Sequence, residues 1–517
     1  MPQFSPVSSS TYTANSSRTG SSQQKSRRQA KRRQHFTECL DQLSEQVRKL
    51  RTRNRQLELQ RDVLDEQLRC EQSSNQGSVD TLLNDRPLPG HQFGVRLIAL
   101  CIELAKRIGF RATEFVIEQL FQWIGVDLKV PSHDAIEQWT LRLGVAELND
   151  AFSKDQNVLW MADHSSQIGK EKVLLIIGIA LEDLPPPGQS LDLEKLKVLA
   201  VVPGERWKKE DVGREYRKLA SRIGAPVYLL CDGAVELRDP AENLEKDGRK
   251  TIVLGDLKHH AANLLEKQIG RSERFKAFMT EVGLTRNRVQ QTELCHLAPP
   301  PLRQKSRFMN LANLLNWAQM VLHHLADPGS PSRKGITTER MEDKLGWLRE
   351  FAVELSLWSE CQDVIDQSLS VINQGHLSIA SIDELESRLW IWLGHDEQKQ
   401  PANEMAEALF RFVKDSVAKL RSDAPRAWLS TEILESLFGR FKHLERQHSR
   451  GGFTRLLAAI PTLCRKATAD LIRLRFAKTK ADDVQCWLAA TLGTTLTANR
   501  NAAYRRYNAQ AKPSLPK

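Results

Sequence analysis

The sequence predicts an α/β core interrupted by an all-α insertion, with a helical module and a coiled coil ahead of it. Three features predict this. Residues 157–255 alternate apolar strand-like runs with helix-like stretches, residues 270–428 are helix-like throughout, and residues 40–68 place leucines at spacings of three and four. With 517 residues the chain is long enough for roughly three or four domains at about 100–200 residues each.

Residues 1–35 are Ser-, Thr- and Gln-rich before turning basic at KSRRQAKRR, which predicts a disordered basic tail. From 36 to 70 the pattern changes. Leu40, Leu43, Val47, Leu50, Asn54, Leu57, Arg61, Leu64 and Leu68 occupy a and d positions over four heptads, a coiled coil in which Asn54 favours a parallel pair in fixed register. Residues 71–92 follow as a linker.

The formal charge is +11, from 75 basic and 64 acidic residues. Lys25–Arg55 holds eleven Lys or Arg against three acids, a net +8, and Val484–Lys517 has five basic residues and no acid. Subtracting both ends leaves −2 for the rest, so the surplus sits at two ends and points to a polyanion such as DNA. Lys25, Arg27, Arg28, Lys31, Arg32 and Arg33 are the first DNA-binding candidates. The longest apolar run is nine residues, Val173–Leu181, where a membrane span needs about 18, and no membrane partner is expected. No apolar core precedes residue 36, so no signal peptide is expected. The eight cysteines form no CxxC pair, which points to a reducing compartment.

Residues 93–150 predict three helices, over Gly94–Ile108, Ala112–Ile124 and Ser132–Leu143. The last has Ser132 as N-cap and Ile136, Trp139 and Leu143 on one face. Its other face carries His133, Glu137, Gln138 and Arg142, which would suit the second helix of a helix-turn-helix-like DNA-binding module. A plain helical bundle is the alternative.

The core opens at 151. Its strand-like runs are NVLWMAD (157–163), KVLLIIGIAL (172–181), KVLAVV (197–202), PVYLLCD (226–232) and TIVLG (251–255), with a basic helix over Lys208–Ile223. Consecutive runs suit hairpins, and helix-separated runs imply parallel crossovers. Two runs end on acids, Asp163 and Asp232. A carboxylate at the rim of a buried strand is tolerable only where water or a cation meets it, so neighbouring acids of this kind point to shared divalent ions. Asp239, in Arg238-Asp239-Pro240, is expected to be a structural turn residue.

After the insertion, residues 429–480 return to the core. The helix over Ser430–Lys442 (STEILESLFGRFK) carries Glu432 and Glu435, and Glu435 shares a face with Gly439 and Lys442. The glycine would leave room for close approach, while Arg440 and Lys442 would hold a phosphate.

The order Asp163 (WMADHSSQIGKEKVLLIIGI), Asp232 (VYLLCDG) and Glu435 (ESLFGRFK) resembles that of the DDE transposases with a ribonuclease-H-like core, over residues 94–480 and nearest to bacterial insertion-sequence types. Asp256-Leu-Lys-His259 is similar to the Cys/Asp-x-x-His signature of several DDE superfamilies. The resemblance implies that Asp163, Asp232 and Glu435 hold two Mg²⁺ (or Mn²⁺) ions for DNA cleavage and strand transfer. It implies transposon ends and target DNA as partners, Asp256 and His259 as supporting residues, and a cytoplasmic, nucleoid-associated bacterial location. His164, beside Asp163, is a further candidate for metal or DNA contact. The gap between Asp232 and Glu435 implies a helical insertion, 271–428, with Trp317, Trp347, Trp358, Trp390, Trp392 and Trp428 mostly in its core. Arg303–Arg307 is a plausible phosphate loop there. Residues 481–517 are expected to be a basic tail whose Tyr504, Arg505, Arg506 and Tyr507 would follow a DNA backbone. The coiled coil would pair protomers into a homodimer or higher oligomer. Two other readings stay open: a non-catalytic DNA-binding regulator descended from a transposase, and a metal-dependent junction or repair nuclease.

Overall fold

The computed structural model describes Leu50 and residues 85–150, 152–168, 171–301, 308–326, 337–393, 400–447, 455–493 and 502–507. The chain divides into two units, 1–84 and 85–517, and the sheet with its helices belongs to the second. The basic run Lys25–Arg33, the coiled coil apart from Leu50, and Arg303–Arg307 lie outside the described residues.

Three helices open the second unit: α1 (Val95–Ile108), α2 (Phe110–Ile124) and α3 (His133–Asn149). Ser132 caps α3 through a bond from Ala135 N to its Oγ, as the sequence predicts. Strands β1 (Val158–Ile168), β2 (Glu171–Ala180) and β3 (Lys197–Gly204) follow in succession. Helix α4 (Lys209–Ile223) leads to β4 (Tyr228–Cys231), and α5 (Val235–Ala241) comes next. A small hairpin of β5 (Glu245–Lys246) and β6 (Arg249–Lys250) precedes β7 (Ile252–Gly255) and α6 (Leu257–Leu265).

The result is a mixed five-stranded sheet in the order β3-β2-β1-β4-β7. β1 with β2 and β2 with β3 are antiparallel; β1 with β4 and β4 with β7 are parallel. Strands joined directly form hairpins, while those separated by helices lie parallel, because only a crossover returns the chain to the same edge.

One face packs on α4 and α5. Trp160, Ala162, Leu174, Ile176, Leu229 and Cys231 meet Val212, Tyr216, Leu219, Leu237 and Ala241 in one buried cluster. The other face is covered by α3, by a late helix over Glu432–Arg446, and by a 3₁₀ run, Arg455–Cys464. Helix α3 is buried along most of its length, from Ile136 to Leu148. It lies so close to the 3₁₀ run that a Cβ on Gly144 would sit 1.7 Å from the Ala458 carbonyl oxygen. The helix expected to read DNA is therefore a central core helix, and its apolar positions extend round too much of its circumference for it to lie in a groove.

Between the two parts of the core the described residues are helical: α7 (Glu273–Val289), α8 (Leu311–Ala326), α9 (Thr338–Leu345), α10 (Ala352–Gly375), α11 (Ile379–Leu389) and α12 (Pro401–Ala418). Phe275, Phe278, Trp347, Phe351 and Trp358 pack ring against ring as an aromatic centre. Trp317, Trp358 and Trp428 are buried, whereas Trp390 is 69% exposed. Helices α13 (Glu432–Arg446), α14 (Ala469–Lys478) and α15 (Ala481–Leu492) complete the unit. The expected C-terminal tail thus starts too early at 481. Val484, Trp487 and Leu488 form an apolar stripe at helical spacing that packs α15 onto Leu141, Val145 and Leu444. Among the described residues no helix is long and apolar enough to cross a membrane.

Candidate functional site

Backbone register brings three aspartates into line. In the β1–β4 ladder Leu159 faces Tyr228, Trp160 faces Leu229 and Met161 faces Leu230, so two residues further on Asp163 comes level with Asp232. In the β4–β7 ladder Leu230 faces Leu254 and Cys231 faces Gly255, which puts Asp256 next in the row. Alternation along β1 sends Asp163 to the face opposite Trp160 and Ala162, the face on which α13 packs. Asp163 does not end its strand. β1 continues to Ile168 because its antiparallel pairing with β2 outlasts its parallel pairing with β4; Asp163 itself faces Leu175. Asp232 does stand just past the last residue of β4, where its Oδ1 accepts a bond from Ala234 N at 2.9 Å.

Electrostatics tie the site together. Burial, then the charge of Asp232, with a smaller addition from Glu435, push the Asp163 carboxyl up to about 7. A backbone bond from His164 and the charge of His259 pull the other way without prevailing. Burial alone would lower the His259 imidazole, but its bond and charge interaction with Asp256, helped by Asp232 and Asp163, raise it above the ordinary value. Asp163, Asp232, Glu435 and His259 therefore share one field.

Asp256 behaves differently. It is 2% exposed, and all its bonds run to protein: Oδ1 accepts from His259 N at 2.7 Å and meets His259 Nδ1 at 3.1 Å, while Oδ2 accepts from Thr431 N at 2.5 Å and Thr431 Oγ1 at 2.7 Å. Burial favours the neutral acid, yet His259 and the Thr431 hydroxyl outweigh it and hold the carboxyl below the ordinary range.

The two glutamates of α13 separate cleanly. Glu432 is engaged by Lys258 at 2.6 Å. Glu435 is exposed, and among the described residues no hydrogen bond or ion pair holds its side chain. A Cβ on Gly439 would meet nothing within 4 Å, so packing within the chain does not require that glycine. Lys442 is exposed, and Arg440 donates to the Leu463 carbonyl at 3.1 Å.

Other predicted residues lie apart. His164 points to the α4 face, stacks on Trp207 with centroids 5.6 Å apart, and has a buried Nε2 with no hydrogen-bond partner among the described residues. Asp239 sits in α5, not a turn, and pairs with Lys209 and Arg238. His133 Nδ1 lies 2.6 Å from Glu114. Arg142 donates to the carbonyls of Thr479 and Phe476 and lies 4.3 Å over the Phe476 ring. Its guanidinium is spent on the C-terminal end of α14. Gln138 is half-buried, and Tyr504, Arg505, Arg506 and Tyr507 are exposed. Thr431 and Lys258 are contacts that the sequence did not single out; a lysine two residues past Asp256, and a threonine just ahead of Glu432, were the available signals.

An all-carboxylate oxygen set suits Mg²⁺ or Mn²⁺ by donor chemistry. Among the described residues, however, no three His, Cys, Asp or Glu side chains converge closely enough to hold one ion.

No family model matches the chain, and no curated protein matches it. A solved structure of the Drosophila P element transposase strand transfer complex is similar at 14% identity and a TM-score of 0.34, covering 81% of this chain and 100% of that one. A score that low carries no argument about fold or function.

Proposed function

We propose that this chain is a DDE-type transposase that cuts DNA at the ends of its element and joins them to target DNA. The observation that carries the reading is the β1–β4 register, which brings Asp163 level with Asp232 while α13, the helix of Glu435, packs on β1; the charges of Asp232 and Glu435 add to burial in raising the Asp163 carboxyl. Acids held together against their mutual repulsion mark sites built for a cation or a proton. Asp163, Asp232 and Glu435 are the residues that would hold two Mg²⁺ or Mn²⁺ ions. Bound there, divalent ions supply Lewis-acid stabilisation of a phosphodiester and lower the pKa of an attacking hydroxyl. The chain's own part would be to fix the carboxylates: β1 and β4 carry two in register, α13 carries the third, and Asp256, next in the row, is bonded to His259 and to Thr431 at the start of α13.

DNA contacts would fall to Lys442, which is exposed on α13, to Arg505 and Arg506 with their flanking tyrosines, also exposed, and to the basic run of Lys25, Arg27, Arg28, Lys31, Arg32 and Arg33. The coiled coil over 36–70 would pair protomers so that two ends are held together, and the protein would act on the bacterial nucleoid. The remaining boundaries of the sequence-based organisation, including the ribonuclease-H-like core, belong to the same proposal.

The test uses full-length protein and a supercoiled plasmid carrying the DNA that flanks its coding sequence. With Mg²⁺ the wild type should nick this plasmid. Asp232→Asn should bind it equally well and nick nothing; equal nicking by the variant would refute the assignment. Joining of cut ends to a second plasmid separates a transposase from a junction or repair nuclease. A second reading, a DNA-binding regulator without catalysis, draws on the lack of three converging ligands among the described residues. It predicts binding to the same DNA with no Mg²⁺-dependent nicking by either protein.

A further inference from the structure

We infer that Thr431 is a positioning residue: its bonds to Asp256 lock the helix carrying Glu435 to the strand end carrying Asp232. The inference rests on the carboxylate site proposed above and deepens it.

The geometry is a chain of short links. Asp256 N donates to the Cys231 carbonyl at 2.9 Å, fixing Asp256 to the residue just before Asp232. The Asp256 side chain then receives both the amide and the hydroxyl of Thr431 at 2.5 and 2.7 Å. A parallel strut runs beside it, from Leu257 N to the Leu429 carbonyl at 3.0 Å. Thr431 in turn starts α13: its carbonyl accepts from Leu434 N and from Glu435 N. One residue therefore spans the distance between the second and third carboxylates of the site, although 175 residues separate Asp256 from Thr431 in sequence.

Several features argue for a tie rather than an ordinary cap. The Thr431 hydroxyl caps nothing in its own helix. Both partners are 2% exposed, so water does not compete, and a charged acceptor makes each bond stronger than a neutral one. The rest of Asp256 is occupied by His259, which fixes the carboxylate plane and leaves Oδ2 directed at Thr431. Glu435 is exposed, and among the described residues its side chain has no bond of its own, so the orientation of its helix decides where the carboxylate stands.

The experiment compares Thr431→Val, which keeps the volume and loses the hydroxyl, with Thr431→Ser, which keeps the hydroxyl. Hydrogen exchange of the peptide starting at Thr431 needs neither metal nor DNA. The valine variant should exchange its first-turn amides about tenfold faster, and the serine variant like wild type. On the flanking-DNA plasmid with Mg²⁺, the valine variant should nick about tenfold or more slowly at unchanged DNA affinity, with serine restoring the rate. Wild-type exchange in the valine variant overturns the tie. Faster exchange with wild-type nicking overturns positioning and leaves a helix anchor only. Serine behaving like valine also overturns it, because the hydroxyl is then not the active group. Nicking by Asp232→Asn at the wild-type rate defeats the underlying site reading instead, and the role of the tie falls with it.

Discussion

At the junction of α3 and α14, Glu147 and Asp150 meet Arg475 at 2.6 and 2.5 Å, with Lys197 a further 3.2 Å from Asp150. At the sheet rim, the charges of Asp232 and Glu435 act on Asp163 and outweigh that of His259. Both places take carboxylates out of water, and the consequences are opposite. Burial favours neutral Asp150, but the bonds and charges of Arg475 and Lys197 outweigh it and lower its pKa. Asp163 is raised because burial is joined by neighbours of the same sign. A matched buried charge holds architecture together, whereas an unmatched one costs stability and persists where something else requires it. Asp256 shows that the distinction is local: one strand along from Asp232, it is fully bonded and structural.

The largest expected effect lies on the matched side. Arg475→Leu takes from buried Glu147 and half-buried Asp150 the guanidinium they share, leaving Arg465 3.5 Å from Glu147 and Lys197 3.2 Å from Asp150, and should lower unfolding free energy by about 2–4 kcal/mol in urea titrations at pH 7. The sign with pH follows from the lowered Asp150 pKa. Its stabilisation is present above the unfolded value, about 3.9, and is lost as pH falls through the lower folded value. The variant should therefore lose the share of that acid limb that Arg475 supplies and keep the share of Lys197. A loss below about 1 kcal/mol would show the network to be incidental.

On the unmatched side the sign reverses. Asp163 is protonated in the fold up to about 7 but ionises near 4 when unfolded, so the wild type loses stability as pH rises between those values. Asp163→Asn should be more stable than wild type at pH 8 by about 1–3 kcal/mol, because the amide bears neither the burial cost nor the repulsion of the ionised carboxylate. The gain should vanish near pH 4. A variant less stable at pH 8 would mean that the rim is not strained.

The smallest effect separates the two glutamates of α13. Glu432→Gln breaks a half-exposed pair with Lys258 and should cost less than about 1 kcal/mol, with nicking within about twofold of wild type. Glu435→Gln should abolish nicking. If Glu432 were the one required, the third ligand has been misassigned.

The sequence alone determined the elements, because periodicity and capping are local. Each apolar run in 157–255 became a strand of the sheet, Ser132 caps the helix it was placed before, and hairpin against crossover followed from what lay between strands. Asp163 and Asp232 stood out for the same reason, an acid at the end of an apolar run being visible one residue at a time, and Glu435 through the helix face it shares with Gly439 and Lys442 and the order of the three acids.

Tertiary structure decided what those elements are for. No local pattern shows that α3 is buried in the core, that Arg142 is consumed by the end of α14, or that 481–492 is a packed helix rather than a tail. Each depends on contacts between residues hundreds of positions apart. The same holds for the ion pair that Lys258 makes with Glu432, and for the bonds from Thr431 to Asp256. Spacing within a helix or strand fixes which face a side chain takes; only the packing of those faces determines whether a charge finds its opposite, its like, or water.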